Sequence, residues 1–90
     1  MVRKHVFVSG KVQGVYFRAF TEKTARKYNV KGWVRNTVDG RVEAVLEGGR
    51  EAVNNMLVWF WEGSPFSRVQ DVEVDDEKYV GEFKDFSTRY

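Results

Sequence analysis

Hydrophobic and polar positions along this chain change their period several times, and each change marks a structural element. From Val2 to Ser9 they alternate: Val2, Val6 and Val8 share one face, His5 lies opposite with Arg3 and Phe7, and Lys4 is the exception. A period of two predicts a first strand. From Val15 to Tyr28 the spacing becomes helical, with Phe17, Phe20, Thr21, Thr24, Ala25 and Tyr28 on one face and Glu22, Lys23, Arg26 and Lys27 on the other. Glu22 precedes Arg26 by one turn, a pairing that supports the helix. Val30–Asn36 predicts a second strand, Val38-Asp39-Gly40 a turn, and Arg41–Glu47 a third strand, in which Val42, Ala44 and Leu46 face away from Arg41, Glu43 and Glu47. Gly48-Gly49 breaks the strand. A second helix is expected over Arg50–Glu62, with Val53, Met56, Leu57 and Phe60 as its apolar stripe and Glu51 complementing the dipole of its first turn. Gly63-Ser64-Pro65 ends it. Val69–Asp75 predicts a fourth strand with Val72 and Val74 inward, Asp76-Glu77-Lys78 a polar turn, and Phe83–Tyr90 a closing edge strand.

The order is β-α-β-β-α-β plus a C-terminal strand. Two right-handed β-α-β crossovers linked in this way give an antiparallel sheet with both helices on one face, the ferredoxin-like α+β sandwich. The whole of residues 1–90 reads as one domain, without internal repeat, linker or low-complexity segment. Because this fold hosts many unrelated functions, the activity has to be argued from particular residues.

Composition narrows the chemistry. An apolar fraction of 42% with 16% aromatic residues suits a packed core. With no cysteine there is no disulfide, thiolate nucleophile or thiolate-bound metal, and the single histidine excludes a multi-histidine metal site. No apolar run approaches the ~20 residues of a membrane span, and the N-terminus enters strand-like alternation without a signal-peptide pattern. A cytoplasmic protein that needs neither cofactor nor metal is therefore expected. Its high charge content, few amides and lack of cysteine suggest heat tolerance. The net charge of +2 is unevenly spread. Residues 1–36 carry nine Lys/Arg and one acid, Glu22, whereas residues 37–90 carry six Lys/Arg and twelve Asp/Glu. A basic first third fits an anionic partner, and equally a fold in which the two halves interleave and neutralise each other.

One stretch carries candidate chemistry above the rest: Val8-Ser9-Gly10-Lys11-Val12-Gln13-Gly14-Val15-Tyr16-Phe17-Arg18. It leads a strand through a loop with two glycines into a helix whose first turn bears an arginine. Unpaired N–H groups and the positive end of the helix dipole suit a phosphate there. Arg18 adds a planar, permanently charged fork. The alternative is a structural turn with a surface arginine. Asn36 is the second candidate. Its amide can position a water but cannot take a full proton from one, and the alternative is a turn residue bonded to its own backbone. His5, without a Ser or Asp partner, reads as structural. Asp75-Asp76-Glu77 lacks the spacing of a calcium loop and reads as a solvated turn. Trp59, Phe60 and Trp61 crowd one helical turn, with Phe60 in the core and at least one tryptophan over a sheet edge or an inter-subunit contact.

The loop, the asparagine and the fold order together resemble the acylphosphatases. Val8-x-Gly10-x-Val12-Gln13-Gly14-Val15-x-Phe17-Arg18 is similar to that family's first signature. Gly32-Trp33-Val34-Arg35-Asn36-x-x-x-Gly40-x-Val42, followed by Gly48, is similar to its second. The fixed positions of both are kept, and the likeness extends to the Arg89-Tyr90 ending. The resemblance implies hydrolysis of the carboxyl-phosphate mixed anhydride to a carboxylate and inorganic phosphate. It implies a catalytic Arg18 and a catalytic Asn36, with phosphate cradled by the backbone of Lys11, Val12, Gln13, Gly14, Val15 and Tyr16 together with Arg18.

The residue chemistry suits that reaction. Phosphoryl transfer calls mainly for positioning and charge stabilisation. The leaving carboxylate has a conjugate acid of pKa near ~4–5 and departs without a general acid. The expected partners are a small acyl phosphate and inorganic phosphate as product and competitive inhibitor, with a monomeric protein and no membrane. The rival reading is a non-catalytic ferredoxin-like nucleic-acid-binding module. Lys31-Gly32-Trp33 begins like an RNA-recognition motif, but Val34-Arg35-Asn36 breaks it, and it lies on the second strand rather than the third.

Overall fold

The elements follow the order β1 (Val2–Lys11), α1 (Phe17–Lys27), β2 (Lys31–Asn36), β3 (Val42–Gly48), α2 (Arg50–Glu62), β4 (Arg68–Glu77) and β5 (Phe86–Thr88) in a computed structural model that describes residues 1–90. One five-stranded sheet has the order β4-β1-β3-β2-β5. β1 pairs antiparallel with β3 and β4, and β2 pairs antiparallel with β3. Hence β1 and β2, joined by α1, run parallel on either side of β3. β3 and β4, joined by α2, run parallel on either side of β1. This is the interleaved pair of crossovers that the element order predicts. No helix is long and apolar enough to cross a membrane.

The alternation along the strands sends one set of side chains under the helices. Val6, Val8, Val34, Val42, Ala44 and Leu46 meet Ala25 of α1 and Val53, Met56 and Phe60 of α2 in a single cluster of 15 buried residues. At about 25 cal/mol per Å² of apolar surface, this burial is the main term holding the two layers together. Phe17 fixes where α1 begins. It is fully buried at the first position of that helix, with its ring 5.4 Å from Trp59 and 6.0 Å from Phe60. The start of α1 is thereby nailed to the end of α2.

Several boundaries differ from the expectations of periodicity, each for a physical reason. The sheet is antiparallel only through β1 to β4. β5 is three residues long and lies parallel to β2, because the chain crosses the sheet end before it pairs. β4 continues through Asp76 and Glu77 instead of turning there. Lys4 and Arg3 face them across the ladder, Lys4 Nζ pairs with Asp76 and Arg3 Nε bonds Glu77 at 2.8 Å. β1 runs on to Lys11, past a register shift between Ser9 and Gly10. Gly10 is required there: at φ 123°, a Cβ would sit 2.2 Å from the Arg68 carbonyl. α1 begins at Phe17, not Val15, since Tyr16 adopts φ 61°, ψ 22° in the left-handed region. Val74 points to the helical side opposite Val6 but stays exposed, because β4 is an edge strand.

β3 is the middle strand and is buried on both faces. On the side away from the helices, Glu43 lies 2.6 Å from Arg35 Nε and 2.6 Å from His5 Nε2. Glu47 accepts from Arg3 at 3.2 Å and from the N–H groups of Val80 and Gly81. Arg3 also bonds Glu82 at 2.7 Å. The unequal charges of the two chain halves therefore meet strand against strand, and His5 is part of this structural network. Trp59 packs on the core while Trp61 stands exposed on α2.

Candidate active site

The sheet and α1 leave a cleft of about 480 Å³ at one end of the molecule. Its walls include Val12, Gly14, Tyr16, Arg18 and Asn36, so the glycine loop, the arginine and the asparagine converge although they lie on separate elements. Lys11, Gln13 and Val15 do not line it. Lys11 ends β1 opposite Arg68, Gln13 turns its side chain away, and Val15 is buried.

The loop is shaped by its backbone. Gly14 has φ 72° and Tyr16 φ 61°, so the chain curls twice before the helix begins. None of the N–H groups of Val12, Gln13, Gly14, Val15 and Tyr16 donates to a backbone acceptor, and the first intrahelical donor of α1 is Phe20, bonded to the Tyr16 carbonyl at 3.1 Å. Unpaired donors at the head of a helix, backed by its dipole, suit an anion, and of these residues Val12, Gly14 and Tyr16 reach the cleft. No side-chain cap at Tyr16 and no acid in the first turn competes for them.

Arg18 follows directly from the Phe17 anchor. Its guanidinium has no carboxylate partner within salt-bridge range, unlike Arg3, Arg26, Arg35 and Arg41. Its Cζ lies 4.9 Å from the centre of the Tyr90 ring, which steadies the head group while leaving its N–H donors free. Asn36 closes β2 opposite Val42. Its Oδ1 is buried and accepts no hydrogen bond from the protein. An unsatisfied buried acceptor costs about 1–3 kcal/mol, a penalty that a bound donor such as a water would remove.

Loop and hairpin are tied together. Gln13 Nε2 donates to the Thr37 carbonyl at 2.8 Å and to the Arg41 carbonyl at 2.9 Å, on either side of the turn that follows Asn36. Thr37 N–H donates to the Arg41 carbonyl at 2.8 Å, and Arg41 N–H to Thr37 Oγ1 at 3.0 Å. Thr37 Oγ1 and Arg41 Nε both bond Asp39, and the Thr37 hydroxyl, with Arg41, holds its carboxyl below the usual carboxylate range. The distance between cradle and asparagine is thus set by side-chain bonds, not by sheet pairing alone.

Sequence reasoning missed four contributors to the cleft: Ala19, Glu22, Thr88 and Tyr90. Thr88 Oγ1 donates to Glu22 Oε2 at 2.6 Å, and Arg89 N–H donates to the Val34 carbonyl at 2.8 Å. These bonds bring the C-terminal residue to Arg18. The Arg89-Tyr90 ending was the only sequence signal that could have pointed to it. No three His, Asp or Glu side chains gather as a metal site.

Known proteins resemble this chain over nearly its whole length. A family model described as Acylphosphatase matches residues 4–88. The chain is 58% identical over 88 residues to an acylphosphatase of Pyrobaculum calidifontis, covering 97% of this chain and 80% of the relative. It is 58% identical over 87 residues to one of Pyrobaculum aerophilum, covering 96% and 92%. The crystal structure of an acylphosphatase from Bacillus subtilis superposes with a TM-score of 0.96 at 39% identity, covering 100% of both chains.

Proposed function

The chain belongs to the acylphosphatase family, and from that premise we propose how its cleft hydrolyses acyl phosphates. The phosphoryl group lies against the loop N–H groups and the Arg18 guanidinium. Asn36 Oδ1 accepts a hydrogen bond from the attacking water and aligns it opposite the anhydride oxygen. The water oxygen bonds to phosphorus as the P–O bond to the acyl group breaks. The carboxylate leaves with that electron pair, and a water proton passes to a phosphoryl oxygen of the substrate. Donors fixed before the reaction gain strength as charge shifts onto the phosphoryl oxygens. Holding the water in line removes an entropic barrier and needs no acid or base.

The observation that carries this reading is the meeting in one cleft of a buried acceptor without a partner, Asn36 Oδ1, and an arginine without a carboxylate, Arg18. The carboxylate leaving group makes a further acid unnecessary, whereas an alkoxide would demand one. A small acyl phosphate as substrate, inorganic phosphate as competitive inhibitor, and a monomeric, cytoplasmic, heat-tolerant protein complete the proposal. Nucleic-acid binding is disfavoured by the open sheet face. Arg41 already covers the Phe7 ring at 4.3 Å and Arg89 covers Trp33 at 4.6 Å, while Glu47 and Glu77 pair with Arg3 and Glu43 pairs with Arg35. Bases would find neither a free aromatic platform nor a basic surface.

The deciding experiment is turnover of benzoyl phosphate in the presence of EDTA. Hydrolysis with competitive inhibition by inorganic phosphate is expected. Failure to turn over, or a requirement for added divalent metal, would overturn the reading.

A further inference from the structure

Ser64 lies outside the cleft, just after α2, and no role in the reaction follows from its position. Yet it is buried, at 3% exposure, and its Oγ donates to the Val15 carbonyl at 2.7 Å, across 49 residues of sequence. The Val15 carbonyl and the Tyr16 N–H are the two ends of one trans peptide and point in opposite directions. With the carbonyl held inward at Ser64, the Tyr16 N–H is turned the other way. Tyr16 lines the cleft, and its N–H has no acceptor in the protein. The same residue sits in the left-handed region at φ 61°, ψ 22°, a conformation unfavourable for a bulky side chain and therefore in need of an external hold.

Ser64 is itself rigidly placed. Gly63, at φ 73°, ends α2 with its N–H on the Trp59 carbonyl at 2.8 Å. The Ser64 carbonyl accepts from both the N–H and the Oγ of Ser67, at 3.0 and 2.7 Å. Trp59 and Phe60 meanwhile grip Phe17, the residue after Tyr16. The end of α2 therefore holds the loop from both sides of Tyr16.

We propose that Ser64 is a positioning residue for hydrolysis: by fixing the Val15 carbonyl, its hydroxyl aims the Tyr16 N–H at the phosphoryl group. This rests on the proposed function, in which phosphate lies against the loop amides. The test is a titration of ¹⁵N-labelled protein with inorganic phosphate, alongside the inhibition constant of phosphate against benzoyl phosphate hydrolysis. In the wild type, the amide signals of Gly14 and Tyr16 are expected to shift together. In Ser64→Ala, the Tyr16 response should be lost while that of Gly14 persists, and Ki and KM should rise together by about tenfold, the worth of one charge-assisted hydrogen bond. Val53→Ala, a core truncation on α2 with no bond to the loop, controls for lost stability and should leave Ki unchanged. Ser64→Cys keeps the side chain's shape but donates weakly, so it should move Ki in the same direction even if Ser64→Ala does not fold. A wild-type Tyr16 response and Ki in either Ser64 variant would overturn the role of Ser64 and leave the cradle standing. No loop response in the wild type would overturn both.

Discussion

The Arg18 guanidinium lies 4.9 Å from the centre of the Tyr90 ring, although the two residues stand at opposite ends of the chain. β5 makes this possible by pairing with β2, and the Thr88–Glu22 bond fastens the tail to α1. Tyr90 is an exposed residue, and a cation–π contact at such a site is worth about 0.5–1 kcal/mol. Tyr90→Ala is therefore expected to raise KM for benzoyl phosphate by roughly 2–5-fold and to leave the thermal midpoint nearly unchanged. Steady-state kinetics beside a melting curve checks both halves of this expectation.

Arg18 itself should matter far more. Its side chain is the one guanidinium on the cleft wall and has no carboxylate to satisfy. Loss of a preorganised donor to a developing anion costs on the order of 10²–10³ in rate. Arg18→Ala is expected to lose at least that in kcat/KM. Arg18→Lys should recover little, because an ammonium cannot reproduce the two-pronged geometry. Near-wild-type kinetics for Arg18→Ala would remove Arg18 from the reaction.

Asn36 should separate from Arg18 in its signature. If its Oδ1 addresses the water and not the phosphate, Asn36→Ala lowers kcat by about 10²-fold while the inhibition constant of inorganic phosphate stays within about twofold. A phosphate affinity that weakens in step with kcat would make Asn36 a phosphate ligand instead. Relief of the buried unsatisfied acceptor should also leave Asn36→Ala no less stable than the wild type, which a melting curve would show.

The order of elements, both boundaries of α2 and the inward faces of β1 and β3 were legible in the sequence, because each rests on local period and on glycine breaks. What was not legible rests on partners far along the chain. Val15 and Tyr16 have helical spacing, yet the Ser64 bond and the Gly14 turn keep them out of α1. Asp76 and Glu77 look like a turn until Arg3 and Lys4 are seen opposite them. For the site, residue chemistry singled out the loop, Arg18 and Asn36. Gln13 was expected only as backbone in the cradle, and its side chain instead spans to the hairpin.

That tether yields its own expectation. Gln13→Leu removes both donors to the Thr37 and Arg41 carbonyls, each of which keeps another hydrogen bond. The stability loss should accordingly stay near ~1 kcal/mol, a fall in midpoint of about 4–8 °C for a domain of this size. The kinetic loss should be larger in proportion, on the order of tenfold in kcat, since the cradle and Asn36 would no longer be held in register. A kcat that falls no further than in the destabilised core variant Val53→Ala would show that sheet pairing alone sets the spacing.

Acid should unfold the protein through the sheet face that lies opposite the helices. Burial pushes the Glu43 and Glu47 carboxyls up, but their partners outweigh it. His5 and Arg35 hold Glu43 below its ordinary value of 4.5, and the Val80 N–H, Arg3 and the Gly81 N–H do so for Glu47. Arg3 likewise lowers Glu77. A carboxyl whose folded pKa is depressed binds fewer protons folded than unfolded, so it contributes stability above its unfolded pKa and loses it as pH falls through the folded one. The thermal midpoint is therefore expected to gain nothing from these carboxylates between about pH 7 and 5.5 and to fall steadily once the pH drops below the unfolded value of 4.5. Glu47→Gln should flatten that fall. It lowers the midpoint at neutral pH, where the ion pair with Arg3 is missing, and narrows its gap to the wild type as acid protonates the native carboxylate. A constant gap across the range would place the acid-sensitive groups elsewhere in the fold.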